Sequence, residues 1–426
     1  MKNHFMSWLS YLALVTAVLF LAKAQASTYD VKERAITLDD RFKVEDMLRP
    51  YGHDFIIDIT AGLNTNALDF YNDANDVSKT QGSDSEKLAA GQAFLRKYRD
   101  TEQTIRFGLN LGAPLPSFSA FDIKFVPNLR VGVNLMVNLG VRATQLSAAT
   151  ILNYVGSDLS STLKDLIVSK FGTMSAGDDI VAKAIQGESP AVAAEAAPYL
   201  NKYYYPSDTS VPDVLTYAKA DAKVGFYTNY EVNENFFGNI NLYGMGRADT
   251  QVIVTADSLS KGSDTIDFGE EMNTNIAAVM DYQLGYRNGN LRGMASVEEL
   301  KIATISDNKE KAGDLNYEIK SLFRLHGDYR YDFSAFTLRP FAGAYKRSGY
   351  NQDAQPYGGL DFGTHVWDER IGLQVRGMVD EEHLTLTPRL KLWLMQLEYS
   401  LKQPLKSKIN DTKVSTLHSL NFRLFF

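Results

Sequence analysis

The sequence predicts an all-β fold, a transmembrane antiparallel β-barrel of about 14 strands (roughly 12–16 fit) with a helical insertion between strands 3 and 4. Three observations predict it. First, the chain closes on a strand: from Leu417 to Phe426 the residues alternate, with Leu420, Phe422, Leu424 and Phe426 on one face. A final aromatic residue suits a closing strand that pairs with the first and ends at a membrane interface. Second, Leu129, Val131, Val133, Leu135, Val137, Leu139 and Val141 share one face, and Arg130, Asn134, Asn138 and Arg142 share the other. That run is long enough for a tilted bilayer crossing. Third, the connections alternate between short and long, as the two ends of an outer-membrane barrel do.

The N-terminus reads as a targeting segment. Lys2 and His4 precede an apolar run from Trp8 to Ala22, and Ala24-Gln25-Ala26 forms a cleavage site before Ser27. This is the layout of a secretory signal peptide, so residues 1–26 are expected to be removed between Ala26 and Ser27. No Cys is present, which excludes disulfides, thiolate metal sites and a Cys nucleophile. Mean hydropathy is -0.22, as expected when each apolar outward residue is averaged with a polar inward one. Net charge is -7, which argues against a nucleic-acid partner.

In chain order, residues 27–52 are mixed and polar, a periplasmic arm or a short plug segment at the barrel mouth. The barrel is expected over 53–426. Strand 1 is Phe55 to Leu63 and strand 2 is Thr104 to Gly112, with a polar outer loop at 65–101 that turns helical from Ser85 to Tyr98. Strand 3 is the alternation already described. The segment 145–213 breaks period two and carries helical spacing, so it is read as a lid or plug. Strands 4 to 9 are Tyr217 to Tyr230, Phe236 to Ala248, Ile276 to Arg287, Leu291 to Ile302, Tyr317 to Tyr331 and Phe336 to Arg347. Strands 10 and 11 are Leu360 to Val366 and Arg370 to Val379. Between Leu384 and Leu401 the apolar phase shifts by one, which predicts a hairpin near Trp393 and strands 12 and 13. Two connections resist the alternation: 380–383 is short and 113–128 is long.

The signal peptide, the strand number and the run from Glu369-Arg370-Ile371-Gly372-Leu373 to Leu417-His418-Ser419-Leu420-Asn421-Phe422 resemble the FadL/TraF-type outer-membrane barrels of Gram-negative bacteria. The likeness is clearest over the last sixty residues. An Asn-Pro-Ala motif that members often carry in an N-terminal hatch is absent. The FadL branch of that group implies diffusion of hydrophobic compounds across the outer membrane.

Parity places charged side chains in the lumen. The candidates for a ligand or ion path are Arg130, Arg142, Lys219, Lys223, Arg247, Lys320, Arg324, His326, Arg330, Arg339 and Arg376. A basic lumen favours anionic groups; the same residues can instead form a ladder of paired charges that fills the barrel. Glu298 is expected inward, and Glu381-Glu382-His383 is expected to be a solvated turn. No P-loop, nucleophile elbow or zinc-protease motif occurs, so neither an enzyme nor a cofactor or metal site is expected. The expected function is a porin-like, passive transporter or channel for small or hydrophobic molecules through a partly plugged, basic lumen. The alternative is a closed structural barrel that displays its outer loops, 65–101 and 145–213, to a partner or to a secretion or conjugation apparatus. Expected partners are outer-membrane lipid, the barrel-assembly machinery that reads the last strand, and a small hydrophobic or anionic ligand.

Overall fold

Alternation becomes wall. The computed structural model describes residues 30–49, 53–142, 148, 151–152, 159–205, 211–260, 272–308, 319–350, 353–364 and 371–426. Residues 1–26, read above as a targeting segment, and the expected cleavage site at Ala26 and Ser27 lie outside that set. Fourteen long strands form one antiparallel sheet with next-neighbour order throughout. They are β1 (Ile56–Asn64), β2 (Thr101–Pro114), β3 (Ile123–Arg142), β4 (Asp213–Glu231), β5 (Phe236–Val254), β6 (Asn273–Asn288) and β7 (Leu291–Asp307). The rest are β8 (Leu322–Tyr329), β9 (Phe336–Arg347), β10 (Gln355–Thr364), β11 (Ile371–Asp380), β12 (His383–Leu392), β13 (Met395–Pro404) and β14 (Leu417–Phe425). The sheet closes because β14 pairs with both β13 and β1, from Ile56 opposite Phe425 to Asn64 opposite Leu417. Closure leaves no sheet edge unpaired, which a bilayer requires.

The seam explains the C-terminal pattern. Leu420 faces outward and is exposed, while Asn421 and Arg423 turn into the lumen and are buried. Arg423 stands opposite Asp58 and bonds it at 2.5 Å; Asn421 bonds the same carboxylate and the Thr60 hydroxyl. A cross-strand opposite-charge pair fixes register as well as closure. The hairpin between β12 and β13 turns at Trp393, which takes a φ of 48°.

The wall is uneven in height. At a strand's rise, the 20 residues of β3 span roughly 66 Å, about twice the 10-residue strands β10 to β13. The tall side projects beyond a bilayer core of about 30 Å. At the far end, away from Phe426, the outward residues Val141, Val214 and Val254 are buried. The helices α2 (Ala67–Ser78), α3 (Asp84–Lys97) and α7 (Ala256–Ser260) cover them, with Phe70, Phe94, Leu95 and Tyr98 in the contact. The loop expected at 65–101 is thus two helices, not one, and its job is to cap exposed sheet. Residues 115–122 fold back as a short strand, Phe118–Ala120, on the start of β3, which accounts for the long connection there.

The insertion lies between β3 and β4, as expected, with helices α4 (Ser161–Lys170), α5 (Ile180–Ala184) and α6 (Pro190–Ala196). It builds its own core from Leu163, Ile167, Ile180 and Val181. The lumen is filled by a different segment. Residues 27–52 contain a 17-residue helix, α1 (Val31–Met47), and twelve of those residues are buried.

Candidate functional site

The lumen is built around α1. Asp30 caps its N-terminus by accepting from the Glu33 amide at 2.8 Å. Pro50 follows its last turn, where a helix cannot continue. Val31, Ala35, Leu38 and Phe42 pack on Met136, Leu215, Tyr217 and Leu417 near the far rim. Val44 and Leu48 pack on Phe341, Tyr345 and Met378. Arg376 donates to the Leu48 carbonyl at 2.7 Å, satisfying one of the free acceptors at the helix end.

The rest of the interface is charge, and it runs in both directions. Helix carboxylates meet wall cations: Asp39 with Lys219 at 2.5 Å, Asp40 with Arg347 at 2.5 Å, Asp46 with Arg106 at 2.8 Å, and Glu45 with Lys402. Helix cations meet wall carboxylates: Arg34 with Glu102 at 2.8 Å, Lys43 with Glu299 at 2.8 Å, and Arg49, just past the helix, with Glu398 at 2.8 Å. Glu382, in the turn after β11, binds both Arg34 and Arg41. Burial works against its charge, but Arg34 and Arg41 outweigh burial and hold its carboxyl well below the ordinary range. The turn Glu381-Glu382-His383 is therefore not a solvated loop: Glu382 and His383 are drawn onto α1.

Glu299 is the hub. It contacts Lys43, Lys223 at 3.0 Å and Arg347 at 2.8 Å, with Arg247 at 3.8 Å. Strict alternation puts Glu298 inward and Glu299 outward. A bulge in β7 overrides it. The β6–β7 register slips beside Asp281, and Glu299 takes a φ of 56°. Its amide donates to Asp281 at 2.8 Å, and both carboxylates end up in the lumen. Bulges re-aim side chains in this way.

Beside α1 a cavity of about 300 Å³ remains. Asp39, Lys43 and Asp46 line its helix side. Asn110, Arg130, Asn134, Lys223, Tyr227, Asn229, Asn239, Asn241, Asp281, Gln283, Ser296 and Arg324 line its wall side. The lining runs down to Gly112, Asn229 and Asn239, close to the strand ends on the side of Phe426, so the cavity opens toward that end.

The structure distributes the expected path residues widely. Arg130, Lys223 and Arg324 line the cavity. Lys219 and Arg247 sit beside it, both on Asp221, at 2.9 and 2.7 Å. Arg339 and Arg376 share Asp361, at 2.5 and 2.7 Å. His326 is buried between Asp328 and the Tyr357 hydroxyl. Arg142 and Arg330 lie away from the cavity, and Lys320 lies beside Arg347, its carbonyl accepting from that guanidinium at 2.5 Å. Arg142, at the end of β3, donates to the Asn410 carbonyl at the far rim. Arg330 lies in an exposed turn on Asp332. Lys320 precedes β8, whose expected start at Tyr317 falls outside the described residues; the strand begins at Leu322. The basic lumen is also corrected: carboxylates from α1 and the β7 bulge pair with the wall cations.

An outward apolar face, an inward charged face and closure define a membrane β-barrel occupied by a helix. No family model and no curated protein matches the chain. Among solved structures it is similar to the Pseudomonas putida toluene transporter TodX, at 7% identity and TM-score 0.37, over 88% of this chain and 89% of that one. A Pseudomonas aeruginosa FadL homologue gives 9% identity and TM-score 0.29, over 76% and 68%. CdiB from Acinetobacter baumannii gives 7% and 0.35; the match covers 88% of this chain and 60% of CdiB's own length.

Proposed function

We propose that the protein is an integral outer-membrane barrel that gives small molecules a passive route, closed at rest by α1. One observation carries this reading: the lumen is blocked by a single helix held mainly by ion pairs, with a cavity already open at one end. An apolar plug would expose grease on leaving. A charged plug and a charged wall both return to water when parted, so the closure is reversible in a way that core packing is not. In this reading Phe426 marks the periplasmic end, the last strand is read by the assembly machinery, and 65–101 and 145–213 lie outside the cell.

The test is conductance of refolded protein in a planar bilayer, intact and with residues 30–49 deleted. A silent intact protein and a steadily conducting deletion variant are expected. A deletion variant that is silent, yet folded by heat-modifiable migration, sinks the gated route. That outcome favours the second reading, a closed barrel that displays the self-contained core of the insertion to a partner or apparatus.

A further inference from the structure

The cavity beside α1 has a chemistry that neither a hydrophobic nor an anionic ligand matches. We propose that it is a binding site for a neutral, polyhydroxylated molecule of the saccharide class. The inference deepens the proposed function and rests on it only for where the ligand goes, not for whether it binds.

The charged lining is already committed. Asp39 and Asp46 hold Lys219 and Arg106, Glu298 holds Arg324, and Lys223 is held by Glu299. Asp281 accepts from the Tyr243 hydroxyl at 2.7 Å and from the Glu299 amide. Arg130 lies over the Tyr227 ring at 5.0 Å. An anion that approaches Lys223, Arg106 or Arg324 therefore competes with a carboxylate already in place. An apolar ligand fares no better. Of the lining residues, Met47, Ile56 and Leu111 supply the aliphatic surface, and the Tyr227 ring is engaged by Arg130 and stacked with Tyr243 at 5.7 Å.

The wall offers side-chain amides instead. Asn110 stands opposite Gly132, and Gly108 opposite Asn134, on β2 and β3. The two glycines make room for the two amides: a Cβ at Gly132 would lie 2.4 Å from the Asn110 oxygen, and one at Gly108 would lie 2.8 Å from the Asn134 oxygen. Among the described residues no side chain or backbone group bonds either amide. Across β5 and β6, Asn239 and Asn241 continue the strip, bonding Gln283 and Asp281 at 3.2 Å each. Amides donate and accept at once, which is what hydroxyl groups need, and they carry no charge to compensate. A volume of about 300 Å³ lies at the small end of the roughly 300–1,000 Å³ typical of small-molecule sites.

The experiment is equilibrium titration of the intact refolded protein with maltotriose, dodecanoate and inorganic phosphate as probes. Saturable binding of maltotriose, with neither of the others binding as tightly, is expected. The Asn110→Ala, Asn134→Ala double variant, folded by heat-modifiable migration, is expected to weaken maltotriose binding at least about tenfold, as the loss of two hydrogen-bonding groups implies. Dodecanoate or phosphate binding more tightly than maltotriose overturns the proposal, as does unchanged maltotriose affinity in the double variant. Binding is read without conduction. Maltotriose binding with a silent deletion variant keeps the site and removes the route; conduction without binding does the reverse.

Discussion

The two sides of the lumen are both polar, yet they are polar for different ends. Where α1 lies against the wall, apolar contacts at two places are joined by full charges of β2, β4, β7, β9 and β13 that meet their opposites on the helix. On the side of β2–β7, toward the end marked by Phe426, Asn, Gln and Ser stand among the paired charges and the wall leaves space. Charges bind a fixed partner at close range and are costly to leave alone; amides bind weakly and adapt. The difference teaches what the proposal rests on: paired charge fastens the helix, and the amides are the lining groups left to meet a ligand.

Breaking the charged side at its hub has the largest expected effect. Glu299→Gln removes the carboxylate that Lys43, Lys223 and Arg347 share, and leaves Asp40 to hold Arg347 and Lys43. Removing one partner of a buried ion pair costs about 3–5 kcal/mol. Protease access to residues 30–49 is expected to rise sharply, and the denaturation midpoint of the barrel to fall. Unchanged protection would mean that apolar contacts such as Phe42 on Met136 hold the helix.

Acid is the next lever. The Glu382 carboxyl is held well below its usual range, so its contribution to helix docking is complete above about pH 4.5 and is lost as pH falls through its folded value. Protection of α1 is expected to be equal at pH 7 and pH 5 and to drop on further acidification. Glu382→Gln is expected to weaken docking at every pH and to flatten the acid response. A variant that keeps the full acid response would assign it to other carboxylates on the helix.

The wall is legible in the sequence because alternation is a local signal. The expected bounds of strand 9 match β9 to the residue, and the shift of phase near Trp393 marks the right hairpin. The helix is not legible. Val31, Ala35, Leu38 and Phe42 make only a narrow apolar stripe, and the five acidic and four basic residues from Lys32 to Asp46 mask it, because the remaining surface of α1 meets charged groups of the inner wall. Its partners sit 60 or more residues away, as Asp46 does from Arg106 and Asp40 from Arg347. Glu299 escapes for a different reason: parity counting assumes an unbroken ladder, and one bulge inverts every inference beyond it. The adjacent carboxylates Glu298-Glu299 carry the one available signal, since unbroken alternation in a membrane strand would put one of them against lipid.

The smallest effect is expected outside the lumen, and it checks whether the far-end cap and the plug are coupled. Asp73 on α2 accepts from Lys97 at 2.5 Å and from the Tyr98 hydroxyl at 2.6 Å, and these bonds hold its carboxyl below the usual range. It is part of the cap over Val141, Val214 and Val254, not of the α1 interface. The pair lies in water, where exposed ion pairs contribute little. Asp73→Asn is therefore expected to leave the denaturation midpoint and the protease protection of residues 30–49 unchanged. Easier cleavage of α1 in that variant would show that the cap on the outer face of β3–β5 reaches the helix through the wall. The two faces of the tall strands would then have to be treated as one cooperative unit.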